Sequence, residues 1–191
     1  MAAFDLKREL RRRGAVLEGH FRLSSGRHSD RFIQKFRVLE DPKVLEPIAS
    51  QLAGKFRDKQ PTVVLSAAVG GIVLGYEVAR KLGVKAIFAE KEAGRAVLRR
   101  GFVLQPADRV LVVEDVLTTG RSVQEIVDIA RAAGAEVVGI GAIVRRGEIA
   151  FDVPAAWLLD MPFDAYDEVE CPQCRAGLPI TDPGSRRAGT P

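Results

Sequence analysis

The chain has no asparagine, a single tryptophan, two tyrosines, two histidines and two cysteines. Aromatic residues make up 6% of it, and no aromatic-rich surface of the kind that stacks nucleic-acid bases is visible in the sequence. No apolar run reaches the length needed to cross a bilayer, and Lys7, Arg8, Arg11, Arg12 and Arg13 interrupt any signal-peptide core at the amino terminus. A soluble, cytoplasmic protein without a membrane partner is the expectation. The cysteines stand close together in Cys171-Pro-Gln-Cys174, and one such pair supplies half of a four-ligand zinc site. His20 and His28 are far away in sequence. Two reduced thiols in a turn is the simpler reading, a site completed by those histidines or by a second subunit is the alternative, and no protein-held metal is assigned. The missing asparagine, beside plentiful arginine, alanine and valine, suits a heat-adapted or GC-rich source.

What is present bounds the architecture. With 191 residues and 47% hydrophobic content, the chain can bury one good core but is too short for two full-sized domains. A net charge of +4 and a pI near 9.3 suit anionic ligands or nucleic acid, and the interspersed acids leave charge unable to choose between them. Residues 4–13 read as a charged amphipathic helix. Asp41-Pro42 opens another, with Leu45, Ile48, Ala49, Leu52, Ala53 and Phe56 on one stripe. Strands at 62–65, 85–89, 110–113 and 137–144 alternate with helices at 72–82 and from residue 122, ending at Gly83 and Gly134. Glu90 to Arg100 is a charged stretch, after which Val103-Leu104 would close a hairpin. This order predicts an α/β fold with a doubly wound, mostly parallel sheet and right-handed crossovers. The expected organisation is one domain over residues 1–185. Its core is about 41–150, a small hood comes from about 1–40 and 151–185, and 186–191 form a flexible tail.

The most informative run is Val110-Leu-Val-Val-Glu-Asp-Val-Leu-Thr-Thr-Gly-Arg-Ser122. Val110 to Val113 have the composition of a strand covered on both faces. Ser122 and Glu125 have capping-box spacing, and Val123, Ile126, Val127 and Ala130 give the following helix one apolar face. Glu114 to Arg121 is therefore expected as a loop at the carboxyl end of a strand, where open α/β sheets bind ligands. Small residues from Thr118 to Ser122 let backbone N–H groups and hydroxyls hold a phosphate at a helix N-terminus. Carboxylates facing that phosphate would repel it, so Glu114 and Asp115 suit neighbouring sugar hydroxyls instead.

This run resembles the signature of the type I phosphoribosyltransferases, which bind 5-phosphoribosyl 1-diphosphate. The resemblance implies that Glu114 and Asp115 hold the ribose 2′ and 3′ hydroxyls, and that Thr118, Thr119, Gly120, Arg121 and Ser122, following Val116 and Leu117, hold the 5′-phosphate. Gly19-His-Phe-Arg-Leu-Ser-Ser-Gly-Arg-His-Ser-Asp-Arg-Phe32 resembles the amino-terminal segment of orotate phosphoribosyltransferases. Together with Ala89-Glu-Lys-Glu92, Leu98-Arg-Arg-Gly-Phe102 and the Cys-Pro-Gln-Cys-Arg-Ala-Gly-Leu-Pro-Ile segment, it is similar to the branch associated with Thermus-type bacteria. On that resemblance, backbone groups of Phe32 and Ile33 face the orotate ring, Thr118 touches it, and Arg146 pairs with a polar edge of the base. Ala68, Val69, Gly70 and Gly71 form the diphosphate loop, with a strained or cis peptide near Ala68-Val69.

Two departures stand out. Gly70 and Ser24 occupy positions where many relatives carry lysine, and the charged stretch after Ala89 is shorter than the mobile loop of many relatives. Lys91 and Arg95 are expected to stabilise the departing diphosphate, with Asp115 as the third catalytic residue, while Arg99 and Arg100 suit an exposed hairpin edge. The implied activity joins orotate to phosphoribosyl diphosphate with Mg²⁺ in a homodimer, giving orotidine 5′-phosphate in pyrimidine synthesis. The alternatives are a purine or xanthine phosphoribosyltransferase and a non-catalytic nucleic-acid-binding regulator, and no nucleic-acid partner is expected.

Overall fold

The computed structural model describes residues 4–23 and 25–183; Ser24 and the proposed 186–191 tail lie outside them. Helix α1 (Leu6–Arg12) is followed by an antiparallel hairpin of β1 (Val16–Arg22) and β2 (His28–Ile33), then by α2 (Phe36–Leu39) and α3 (Pro42–Gly54). Next come β3 (Val63–Ala67), α4 (Gly70–Leu82), β4 (Lys85–Glu92), β5 (Arg95–Leu98), β6 (Arg109–Leu117), α5 (Arg121–Ala132), β7 (Glu136–Arg145), β8 (Ala155–Asp160) and the short α6 (Pro172–Arg175). The central sheet has the order β5-β4-β3-β6-β7-β8. All neighbours are parallel except the β4–β5 pair.

Strand alternation sorts the core into two layers. From β6, Leu111 and Val113 enter the cluster built on α3 and α4 with Leu45, Ile48, Leu52, Leu74 and Val78. Val110 and Val112 enter the opposite cluster with Val123, Ile126, Val127 and Ala130 of α5. Because both faces of the central strands are covered, they read as unbroken apolar runs rather than alternating ones. Asp41 caps α3 by accepting from the Lys43 N–H at 2.9 Å, with Pro42 in the first turn.

Five expectations need correction. The sheet extends past residue 150, since β8 is its edge strand beside β7. Leu6 and Leu10 of α1 belong to the core under α3 rather than to a hood. The hairpin after β4 is closed by Arg95–Leu98, pairing Lys91 with Ala96, whereas Val103 and Leu104 lie in irregular chain. Strand β6 continues through Leu117 because β7 pairs with it as far as Arg145, so the loop starts four residues later than the apolar run suggests. Finally, Ser122 and Glu125 form no capping box. Gly120, at φ 76°, is the N-cap and offers no side chain, and Glu125 accepts instead from the Ala96 N–H at 3.0 Å and pairs with Lys91.

Close packing of α3 on the sheet depends on a missing side chain. A Cβ on Gly139 of β7 would lie 2.5 Å from the Phe56 ring, inside any tolerable contact. Gly139→Ala is expected to lower stability by about 1–3 kcal/mol through overpacking, read as a reduced urea midpoint; an unchanged midpoint would refute this packing role.

Candidate active site

The carboxyl ends of β3 and β6 meet at the centre of the sheet, and the site is built around them. Asp115 is buried, with its Oδ2 2.6 Å from Lys35 Nζ. The pair is in ion-pair range but outside hydrogen-bonding geometry, which leaves Oδ2 without a hydrogen-bond donor. The β3–α4 turn passes directly beside it. A Cβ on Gly70 would fall 2.1 Å from Asp115 Oδ2 and 3.0 Å from Lys35 Nζ, so only glycine fits. The Ala68–Val69 peptide just before it is cis, and the Ala68 N–H donates to Ala89 O at 2.9 Å, tying the turn to β4.

Glu114 shares the end of β6. Burial and the adjacent Asp115 carboxylate push it up to about 8, against the pull of Lys35 and of the Asp115 N–H it accepts from at 2.9 Å. At neutral pH its protonated form is therefore favoured. Val116 and Leu117 direct their side chains into the core, which leaves their backbone for a ligand. Thr118, Thr119, Arg121 and Ser122 are exposed around the N-terminus of α5, where the first N–H groups lack intrahelical partners and the helix dipole favours an anion.

Arg146 follows β7 at the same edge. Its N–H donates to Leu117 O at 2.8 Å, and its guanidinium lies 4.8 Å from the centroid of the Phe163 ring. Burial lowers its pKa, with Asp30 opposing the shift. Its Nε is buried without a hydrogen-bond acceptor, a costly state that a planar acceptor would relieve. Phe32 packs near Phe21 and Ile33 is buried, so Ile33 can meet a ligand only through its main chain.

Not every expected residue joins this group. Lys91 pairs with Glu125 on α5 and reaches Gly94 O at 3.4 Å. Arg95 opens β5 as an exposed residue, while Arg99 and Arg100 pair with Glu92 and Glu90 along the hairpin. Lys35 is the residue that sequence reasoning missed. Nothing in its local pattern marks it beyond its place two residues after Ile33, because its contact with Asp115 crosses eighty positions of chain. The thiols, read as a simple turn, do not stand alone either: Cys171 and Cys174 meet His20 and His28 with ligand atoms all within 4.8 Å of one another.

Comparison with known proteins agrees with this geometry. A family model described as the phosphoribosyl transferase domain matches residues 37–158. The chain is similar to the orotate phosphoribosyltransferase of Chlorobaculum parvum, 49% identical over 91% of both chains. The chain belongs to the orotate phosphoribosyltransferase family. The enzyme of that name from Caldanaerobacter subterraneus subsp. tengcongensis is 46% identical over 90% of this chain and 92% of its own. Among solved structures, orotate phosphoribosyltransferase from Aeropyrum pernix matches with a TM-score of 0.68 and 29% identity, over 82% of this chain and 94% of that one. An adenine phosphoribosyltransferase from Thermoanaerobacter pseudethanolicus, TM-score 0.62 and 18% identity over 69% of this chain and 88% of that one, shares the fold.

The raised Glu114 has a consequence for stability. Its folded value of about 8 exceeds the ordinary 4.5, so below 4.5 both folded and unfolded chains hold the proton and no stability is at stake. Between about 4.5 and about 8 only the unfolded chain ionises freely, and stability falls as pH rises until both states are ionised. Glu114→Gln is expected to lack this decline in denaturation midpoints across that window, and parallel profiles for the two proteins would contradict it.

Proposed function

We propose that the protein transfers the 5-phosphoribosyl group of phosphoribosyl diphosphate to orotate, giving orotidine 5′-phosphate and diphosphate in pyrimidine synthesis. The observation that carries the choice of acceptor is Arg146, whose half-buried guanidinium and unsatisfied Nε sit beside the phosphate turn and suit a planar anionic base. Family membership supports the same reading. The adenine-acting fold relative offers no comparable support at 18% identity.

The ribose 5′-phosphate sits on the N–H groups and hydroxyls from Thr118 to Ser122. Glu114 and Asp115 meet the ribose hydroxyls, and because Glu114 holds a proton at neutral pH, the pair can both donate and accept there without presenting two charges. The diphosphate lies along Ala68 to Gly71, with Lys35 supplying positive charge that no side chain at Gly70 could provide. Orotate is held by main-chain groups of Phe32 and Ile33, by Thr118 and by Arg146. The C1–oxygen bond to diphosphate breaks as positive charge builds on the ribose, and the anionic ring nitrogen of orotate bonds to C1. Its own ionisation removes any need for a protein base, so the protein's part is orientation and charge stabilisation.

Mg²⁺ fits this donor set as a hard cation held mainly by substrate oxygens and water, with Asp115 Oδ2, free of any hydrogen-bond donor, and Glu114 as the nearby protein oxygens, and it would offset diphosphate charge. Lys91 and Arg95, on the β4–β5 hairpin, steady the leaving group when that hairpin closes across a homodimer. Exposed Val73 and Tyr76 along α4 give a second copy an apolar patch to cover. No described helix is long and apolar enough to cross a membrane, and the reading includes a cytoplasmic location without nucleic-acid or membrane partners.

Asp115→Asn is expected to reduce orotate-dependent diphosphate release on the order of a hundredfold while circular dichroism stays native, since a preorganised charge at the ribose is lost; full activity would sink the assignment. Arg146→Ala should raise the KM for orotate about tenfold or more, the cost of a charge-assisted contact, with the KM for phosphoribosyl diphosphate little changed. Competition among orotate, adenine, guanine, hypoxanthine and xanthine decides the acceptor, and preference for a purine would overturn it.

A further inference from the structure

We infer that His20, His28, Cys171 and Cys174 form a structural zinc site that locks the base-facing hairpin to the carboxyl-terminal segment. The ligand atoms converge from three stretches of chain. His20 Nε2 lies 3.1 Å from His28 Nδ1, and 3.5 Å from both Cys171 Sγ and Cys174 Sγ. His28 Nδ1 lies 3.2 Å from Cys174 Sγ. Zinc bonds of about 2.0–2.1 Å to nitrogen and about 2.3 Å to sulfur, set tetrahedrally, require edges of about 3.3 Å between nitrogens and about 3.5 Å between nitrogen and sulfur. The measured separations match those edges within a few tenths of an ångström.

The surroundings are those of a metal centre. His20 Nδ1 faces Leu178 O at 2.8 Å, so a proton there donates to the carbonyl and leaves Nε2 its lone pair, the outer contact by which protein zinc ligands are oriented. Cys171 precedes α6 and Cys174 sits on it, and the turn is secured by Gly177 N–H donating to Cys174 O at 3.0 Å. His20, His28 and Cys171 are buried, and neither thiol is in a disulfide. Two thiolates and two imidazoles in a tetrahedral set select zinc. Four protein ligands leave no open position, so the metal holds structure and takes no part in the reaction.

What it holds is the mount of the base site. His20 is on β1 and His28 on β2, the strand that ends in Phe32 and Ile33 and leads to Lys35. The same hairpin is already stitched to the carboxyl-terminal segment by Thr181 N–H to His20 O and Tyr166 N–H to His28 O, both at 2.8 Å. Zinc closes this seam with bonds between side chains more than 140 positions apart in sequence. The inference does not depend on the proposed activity, because its ligands lie outside the residues assigned to substrate.

The test is metal analysis of the full-length protein, expressed in zinc-supplemented medium and purified without chelator. About one zinc per chain is expected, falling to essentially none in Cys171→Ser and Cys174→Ser and staying at one in Asp115→Asn. Cobalt(II) put in its place should give the visible bands of a tetrahedral site and a thiolate-to-metal charge-transfer band. If the cysteine variants fail to fold, a mercurial titration of the wild-type thiols with a zinc indicator keeps the question decidable: zinc should be released as Cys171 and Cys174 react. Wild-type protein that carries no zinc and gives no cobalt thiolate band would overturn the site. So would zinc retained in full by both cysteine variants.

Discussion

The approach of the β3–α4 turn to Asp115 is the constraint on which the site depends. With a Cβ on Gly70 placed 2.1 Å from the Asp115 carboxylate, the backbone of the turn and the buried acid occupy adjoining space. The parallel pairing of β3 with β6 brings both turns to one edge of the sheet. Apolar layers above and below those strands then hold the two ends against one another. A shift in the β3–β6 register would separate the turn from the carboxylate.

Charge at this edge is divided among elements rather than concentrated on one. Asp115 faces Lys35 from the segment after β2, and Glu114 is driven toward its neutral form by burial beside Asp115. Arg146 completes the edge from β7 and leans on Phe163. A cation from another part of the chain, Lys35, thus stands beside the Gly70 backbone.

The hairpin of β1 and β2 carries His20, His28, Phe32 and Ile33, yet it pairs with no strand of the central sheet. Its position comes from bridges to Thr181 and Tyr166, from Ser29 Oγ donating to Asp164 O at 2.8 Å, and from the histidine–cysteine cluster. It sets where Phe32, Ile33 and Lys35 stand relative to the sheet edge.

Much of this was legible locally. Apolar runs and helical stripes gave the order of elements, the glycines at 83 and 134 marked helix ends, and the acidic pair before Thr118-Thr119-Gly120 located the turn that opens α5. These features depend on neighbours a few residues apart, whose periodicity and backbone freedom are written in adjacent letters. The misread points all involve distant partners. Glu125 has the spacing of a cap but is drawn to Lys91 and Ala96, and β6 is prolonged by its pairing with β7. Lys35 finds Asp115 only in the folded sheet, and Cys171 and Cys174 acquire His20 and His28 only when the two ends of the chain meet. The sequence by itself determined the doubly wound fold and the glycine turn between β6 and α5, because short-range pattern suffices for both. The tertiary structure alone decided which charges face one another and which side chains gather into a ligand set, because those depend on contacts made across the length of the chain.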